Sequence, residues 1–275
     1  MQHQEPTTKN QQPTATNLAF YRFTPIERPD ELREQLETLC IELGLKGTII
    51  VAEEGVNAML AGEAEAAEGF VQAAAGLDEL ADVPIKRSAS SEVPFGRLDV
   101  KIKPEIVTMR AGPVDACGLT AEHLAPETFR DWLRSGEPMV VVDTRNDYEY
   151  RLGTFAGAIN PDTDAFHEFP SFVEQHEGEL RDQKVVMFCT GGIRCEKATS
   201  WMLERGIDEI YQLDGGVLNY FERIEDADRD WEGELFVFDR RVAVDTRLAE
   251  TDTTLCTECG APVKAATTPL CGCLA

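Results

Sequence analysis

The chain has 275 residues, of which 43% are hydrophobic, and a formal net charge of −24 at neutral pH. This hydrophobic content is enough to build a folded core, so we expect one large or two ordinary globular domains with an acidic surface. The charge argues against binding nucleic acid through a broad basic surface and against docking on anionic membranes, and no stretch approaches the roughly 20 apolar residues that span a bilayer.

Residues 1–17 are polar and lack the charged-then-apolar order of a secretory signal, so we interpret them as a disordered tail. The eight cysteines are too unevenly spaced for a disulfide framework, which predicts a cytoplasmic protein. Lysine is scarce beside arginine, as in proteins adapted to concentrated salt. An ordinary acidic cytosolic protein explains this composition equally well.

Residues 18–110 are predicted to form a ferredoxin-like α+β domain. A helix is expected to begin at Pro29 and to end at Gly44, because leucines recur on one face between them. The segments LAFYRF, GTIIVA, VPIKRSA and RLDVKIKPEIV are predicted strands, as is the part of EEGVNAMLAG that follows a turn at Glu53 to Gly55. A second helix is predicted over Ala64 to Leu77. The order β-α-β-β-α-β indicates two helices on one face of an antiparallel sheet.

Residues 84–110 are net positive in this acidic chain. The basic side chains are Lys86, Arg87, Arg97, Lys101, Lys103 and Arg110. Alternation along the last strand predicts that Leu98, Val100 and Ile102 face the helices. The stretch is either a platform for phosphates or an ordinary solvated face.

Residues 111–136 are interpreted as a linker followed by a helix that begins at Pro126 and is terminated by Gly136. Residues 137–228 then alternate between apolar strands and helices, which predicts a doubly wound α/β domain. An extension over 229–252 and a cysteine-rich tail over 253–275 complete the chain.

The most informative segment is KVVMFCTGGIRCEKA. Cys189 follows a buried strand and precedes a helix, at the sheet edge where such folds bind ligands. The backbone amides of Thr190, Gly191, Gly192, Ile193 and Arg194 are expected to curl around the sulfur. These residues and Cys195 are the predicted substrate-binding residues, and Cys189 is the predicted catalytic residue. The helix N-terminus and the Arg194 guanidinium favour a thiolate. A buried structural cysteine is the alternative, and the glycines and the arginine disfavour it.

Residues 139–225 resemble a rhodanese domain. The resemblance is carried by Asp143-Thr144-Arg145, by Glu149, by Gly157-Ala158-Ile159-Asn160, by Cys189 to Arg194 and by Leu213-Asp214-Gly215-Gly216. In that family the cysteine at the position of Cys189 carries a persulfide. A loop of Cys-x4-Arg resembles the sulfur-handling members, whereas related phosphatases use a loop one residue longer.

Residues 18–245 as a whole resemble the oxygen-dependent tRNA uridine hydroxylases. The motifs EEGVNA, CTGGIRCEKA and WEGELFVFDRRVAV carry this closer resemblance. It implies hydroxylation of C5 of the wobble uridine, with the anticodon region of tRNA as partner. The implied co-substrates are molecular oxygen and a reductant that the sequence does not identify, and no bound cofactor or metal is expected at the site.

Two roles are expected for the loop cysteines. Cys189 would attack or activate the pyrimidine, or hold a persulfide or sulfenate, and Cys195 would be the resolving thiol or would simply pack in the helix. The competing function is a plain sulfurtransferase with a Cys189 persulfide, for which neither Cys195 nor the upstream domain is needed. A non-catalytic binding module is disfavoured by the intact loop.

Four cysteines lie in the tail, arranged as Cys-x2-Cys (Cys256, Cys259) and Cys-x-Cys (Cys271, Cys273). Four thiolates at such spacing match a tetrahedral zinc site, with a disordered tail or a redox-active pair as the alternatives.

Overall fold

The structure is a computed structural model that describes residues 14–264, and it divides into two compact units at the bond between Ile106 and Val107. Most of the predicted N-terminal tail, together with Cys271 and Cys273, lies outside the described residues. Among the described helices, none is long and apolar enough to cross a membrane.

The first unit contains five strands and two helices within its described part. In chain order they are β1 (Ala15–Phe23), α1 (Pro29–Leu43), β2 (Lys46–Ala52), β3 (Gly55–Gly62), α2 (Ala64–Ala74), β4 (Lys86–Ser90) and β5 (Leu98–Ile102). The sheet order is β4-β1-β3-β2-β5, with β5 parallel to β2 and the other neighbours antiparallel. The order β4-β1-β3-β2 is that of a ferredoxin-like sheet, and β5 is an additional strand at the edge beside β2.

Helix α1 has the bounds that its sequence predicts. Pro29 opens it, because proline fits a first turn where its missing N–H is not needed. Gly44 closes it in the left-handed region, with φ of 70°. The buried face carries Leu32, Leu36 and Cys40, which pack on the sheet in a single core.

Two details of this unit differ from expectation. Strand β1 begins at Ala15, inside the segment assigned to the tail, because residues 15–17 pair with β4. Leu98 and Val100 pack against the core as predicted, but Ile102 is 42% exposed at the end of the edge strand.

The basic stretch does not form one surface. Lys86 and Arg87 lie on β4 and Lys101 on β5, which are the opposite edges of the sheet, about 19 Å apart at 4.8 Å per strand. Arg87 also pairs with Glu68, and Lys101 with Asp99. Of the two alternatives for residues 84–110, a single phosphate platform is excluded, because the strand order separates positions that are close in sequence.

The second unit is built on a parallel sheet. Its main elements are β6 (Glu122–Leu124), α3 (Pro126–Ser135), β7 (Val140–Asp143), α4 (Asp147–Leu152), β8 (Gly153–Phe155), α5 (Phe169–Arg181), β9 (Val185–Phe188), α6 (Ile193–Leu203), β10 (Ile210–Leu213) and α7 (Gly216–Arg223). The sheet order is β6-β10-β9-β7 with all neighbours parallel.

The sheet is covered on both faces, as a doubly wound fold requires. Along β9, Val185 and Met187 join the core formed with α5 and α6. Val186 and Phe188 join the core formed with α3 and α7. Because side chains alternate along a strand, four apolar residues in a row supply both cores.

The second unit begins earlier than the sequence indicates. Met109, placed in the first domain by sequence, is fully buried in the core beside α5 and α6. The helix expected from Pro126 to Gly136 is present as α3, and it packs Phe129 edge-on against Phe155. The part interpreted as a linker supplies β6, which pairs with β10. Residues 111–136 are therefore part of the α/β unit, since they complete its sheet and one of its helical layers.

An ionic cluster ties the outer strand β6 to this sheet. Nε2 of His123 lies 3.1 Å from Glu196 at the start of α6, and Nδ1 lies 3.3 Å from Asp214 after β10. The hydrogen bond with Glu196 is the main cause that raises the pKa of His123 to about 9, against the opposing effect of burial. The imidazole is therefore charged at neutral pH.

The extension and the described part of the tail form short hairpins: β11 (Trp231–Gly233) pairs with β8, β12 (Leu235–Phe236) with β13 (Ala243–Val244), and β14 (Thr254–Leu255) with β15 (Pro262–Val263). Cys256 and Cys259 lie in the last hairpin. Within residues 14–264 no three His, Cys, Asp or Glu side chains are grouped to hold a metal ion.

Candidate active site

Cys189 directly follows β9 at the carboxyl edge of the parallel sheet, and the residues after it turn back around its sulfur. The backbone N–H of Gly192 donates to Sγ at 3.1 Å, and the N–H of Arg194 adds a further hydrogen bond. Gly192 has φ of 106°, a conformation that favours glycine and that turns its N–H inward. The loop therefore forms a nest of donors around one thiol.

This nest stabilises the thiolate. Burial by itself would raise the pKa of Cys189, which is only 1% exposed. A hydrogen bond from Cys195, the charge of Arg194 and the two backbone N–H groups outweigh burial and lower the pKa to about 5. Cys189 is therefore a thiolate at neutral pH, which is the nucleophilic form of cysteine.

Cys195, on the first turn of α6, is fully buried beside Cys189. Burial, followed by the neighbouring thiolate, raises the pKa of Cys195 well above its ordinary value, so its thiol keeps its proton and donates it to Cys189. The hydroxyl of Thr144 lies 3.5 Å from the Cys195 sulfur and donates to the Phe188 carbonyl at 2.9 Å. The Thr144 hydroxyl therefore packs against the Cys195 sulfur while its own proton goes to the Phe188 carbonyl.

Arg194 is held by a buried ion pair. Its guanidinium donates two hydrogen bonds, of 2.7 and 2.8 Å, to the two carboxylate oxygens of Glu149 in α4. Glu149 is fully buried, and burial would raise its pKa, but the charge of Arg194 lowers it overall. The same carboxylate accepts hydrogen bonds from the Asn146 backbone and from the Thr190 hydroxyl. Glu149 therefore anchors both ends of the loop.

The N-terminus of α7 closes the other side of the loop. The backbone N–H of Val217 donates to the Cys189 carbonyl at 3.0 Å, and that of Leu218 donates to the Thr190 carbonyl at 3.1 Å. Gly216 makes this approach possible, because a Cβ at this position would lie 2.4 Å from the Cys189 oxygen. Its φ of 67° is also left-handed.

A second buried ion pair lies at the end of β7. Arg145 and Asp143 are both fully buried and are joined by hydrogen bonds of 2.9 and 2.6 Å. The Arg145 guanidinium also lies 5.0 Å from the centre of the Trp231 ring. The sequence motif places both residues at the end of the strand. Among the described hydrogen bonds, Arg145 contacts Asp143 and the Gly153 carbonyl and not the Cys189 sulfur, so the pair stabilises the end of β7.

The predicted site residues are brought together in one loop. The thiolate of Cys189 is surrounded by Gly192, Arg194 and Cys195. Thr190 is half-buried and donates to Glu149 at 3.3 Å. Gly191 faces open space, and Ile193 is the first residue of α6. Direct binding of substrate by these side chains stays a prediction.

Sequence reasoning assigned no role to two neighbours of the loop. Glu149 follows Asn146 by three residues at the start of a helix, which is the spacing of a capping box and was a usable signal. Phe238, in the extension, lies with its ring centre 5.8 Å from the Arg194 guanidinium carbon. No sequence pattern predicts that proximity, because 44 residues of chain separate the two positions.

Comparisons with known proteins cover both units. Residues 15–106 match the model of the UPF0176 acylphosphatase like domain, and residues 125–223 match the rhodanese-like domain. A rhodanese-like domain protein from Staphylococcus aureus of solved structure is 22% identical, with a TM-score of 0.30, over 36% of this chain and 90% of that chain.

Two curated relatives extend over nearly the whole chain. Proteins named tRNA uridine(34) hydroxylase from Brucella anthropi and Brucella ovis are each 46% identical over 250 residues, which is 90% of this chain and 81% of theirs. Similarity of this extent includes the ferredoxin-like unit, the thiolate loop and the extension. The chain therefore belongs to the family of the tRNA uridine(34) hydroxylases.

Proposed function

We propose that this protein hydroxylates C5 of the wobble uridine of tRNA to give 5-hydroxyuridine, with Cys189 as the reactive group. The observation that carries the proposal is the similarity of both units together to proteins named tRNA uridine(34) hydroxylase. A plain sulfurtransferase would need the rhodanese-like unit alone.

The chemistry requires dioxygen and an external reductant. One oxygen atom replaces hydrogen at C5 as a hydroxyl group, and the other leaves as water after accepting two electrons and two protons. The buried thiolate of Cys189 is the strongest nucleophile among the described loop residues, and its low pKa keeps it ionised throughout the physiological range. A cytoplasmic location agrees with the nature of the substrate and with two adjacent reduced cysteines.

Binding of tRNA has to rely on small basic areas, since the net charge is −24. At the edge of the first unit, Arg97, Lys101 and Lys103 lie on or beside β5, and Arg97 and Lys103 are exposed. We assign to this edge a share in holding the anticodon arm. Few phosphates are neutralised by so small an area, so tRNA affinity is expected to fall only modestly with added monovalent salt.

The test is complementation of cells that lack the protein, followed by mass spectrometry of the wobble nucleoside. Wild-type protein is expected to restore 5-hydroxyuridine and Cys189→Ala to restore none. Cys117→Ala, at an exposed cysteine of the same unit, is the matched control and should behave as wild type. Full 5-hydroxyuridine with Cys189→Ala would overturn the proposal.

The rhodanese-type loop favours one competing function, sulfur transfer through a Cys189 persulfide. Transfer of sulfane sulfur from thiosulfate to cyanide measures it directly. If this activity depends on Cys189 while cellular 5-hydroxyuridine does not, the protein is a sulfurtransferase.

A further inference from the structure

Phe238 is an exposed aromatic ring on an otherwise closed part of the second unit. It follows β12 in the extension, beyond the residues that match the rhodanese-like model. The residue is 48% exposed, whereas Phe236 and Val237 before it are buried. A single exposed apolar side chain is common on protein surfaces, so a role for this ring depends on what surrounds it.

The ring is held in place from its inner side. Phe238 meets Phe236 edge-on, with ring centres 5.1 Å apart, and Phe236 meets Tyr148 in the same way at 5.1 Å. The turn that follows is fixed by the hydrogen-bonded pair of Asp239 and Arg241 and by the N–H of Val242, which donates to the Asp239 carbonyl at 3.0 Å. The aromatic ring is therefore presented on a rigid support.

Phe238 lies beside the reactive loop. Its ring centre is 5.8 Å from the guanidinium carbon of Arg194, whose backbone N–H supports the Cys189 thiolate. Arg194 is held by Glu149 and is itself only 8% exposed. The aromatic ring is thus the exposed neighbour of an almost completely buried site.

An enzyme that modifies a base in RNA has to take the base out of its stack, and unstacked bases are bound on aromatic side chains. A uracil that reaches Cys189 has to come from solvent, and the exposed ring of Phe238 lies next to Arg194 of the same loop. Arg240, two residues further on, is exposed and makes no ion pair or hydrogen bond among the described residues, so a guanidinium is available there for a phosphate.

We propose that Phe238 is the stacking platform for the target pyrimidine, and that the extension beyond the rhodanese-like domain adapts this loop to a nucleotide. This inference rests on the proposed function. Stacking of one base on an aromatic side chain predicts that Phe238→Ala lowers kcat/KM for tRNA roughly 5- to 150-fold. Phe238→Leu keeps an apolar side chain without a ring and should lose nearly as much, whereas Phe238→Trp should retain activity.

Two controls separate stacking from damage to the loop. Leu255→Ala removes an apolar side chain that is also 48% exposed, and it should leave hydroxylation unchanged. The rate of alkylation of Cys189 by iodoacetamide should be the same in Phe238→Ala as in wild type, because the platform contacts the base and not the thiolate. Wild-type kcat/KM in Phe238→Leu, or a parallel loss of Cys189 alkylation, would overturn the inference.

A binding experiment distinguishes failure of this inference from failure of the proposed function. Phe238→Trp adds a tryptophan to the 3 already present, so its fluorescence is taken as the difference from wild-type protein. It is measured with two synthetic anticodon stem-loops, one with uridine at the wobble position and one abasic there. Quenching by the uridine hairpin alone supports the platform even if no 5-hydroxyuridine forms, in which case the proposed reaction is wrong. Equal quenching by both hairpins refutes the platform even if the enzyme is active.

Discussion

Replacement of Cys195 by alanine should raise the pKa of Cys189 by a measurable amount. The structure makes the Cys195 thiol a donor to the thiolate, and a hydrogen bond to a charged group contributes about 1.5–3 kcal/mol. One pKa unit corresponds to about 1.4 kcal/mol, so the pKa is expected to rise by about 1–2 units from its value of about 5. At neutral pH the thiolate fraction then falls from nearly complete to about one half at the upper limit.

The assay follows alkylation of Cys189 by iodoacetamide from about pH 4 to about pH 9, with each cysteine peptide quantified by mass spectrometry. Cys40 is an internal reference, because burial raises its pKa to about 12 and should keep it unreactive. Cys195→Ser retains a donor and should keep the midpoint near that of wild type. An unchanged midpoint in Cys195→Ala would refute the reasoning.

The serine variant also separates two roles of Cys195. A serine donates a hydrogen bond but forms no disulfide. If Cys195 acts as donor only, Cys195→Ser keeps repeated turnover; if it is a resolving thiol, this variant retains the low pKa of Cys189 but stops after one turnover. Hydroxylated tRNA per enzyme, measured over time, distinguishes the two.

Three further predictions concern the contacts that hold the second unit together. Glu149→Gln leaves Arg194 buried without its counterion, so it should lower the free energy of unfolding by about 3–5 kcal/mol in denaturant titration; a loss below 1 kcal/mol would indicate an exposed pair. His123 has a raised pKa in the folded state, so its contribution to stability is complete below its ordinary value near 6.5 and is lost as the pH rises through about 9; His123→Gln should abolish this part of the pH dependence of Tm. Gly216→Ala forces a Cβ against the Cys189 carbonyl and should reduce Cys189 alkylation at neutral pH, whereas Gly157→Ala, where a Cβ meets open space at a similar φ, should not.

Local patterns in the sequence determined most of the fold. The bounds of α1 follow from Pro29, a leucine face and Gly44, each of which acts within a few residues. The apolar run in β9 predicts a strand covered on both faces. The reactive loop was also predictable, because Cys189, the glycines and Arg194 are contiguous and the chemistry of a thiolate nest depends on local backbone N–H groups.

Other properties depend on which segments meet in space. Sequence proximity made residues 84–110 look like one basic surface, but the strand order places β4 and β5 on opposite edges. The part of residues 111–136 that precedes the predicted helix looked like a linker, because β6 is only three residues long and is stabilised by its partner β10.

The environment of the thiolate also depends on tertiary contacts. Cys195 is six residues from Cys189, and only the packing of α6 against the sheet turns it into a buried donor. Glu149 lies before Arg194 in the chain and Phe238 after it. The capping-box spacing indicates Glu149 as a helix cap but does not predict its contact with Arg194, and no local pattern indicates Phe238. The sequence by itself determined the nucleophile and its loop, whereas the tertiary structure decided what sets the charge of that nucleophile and which side chains border it, because burial and long-range contacts control both.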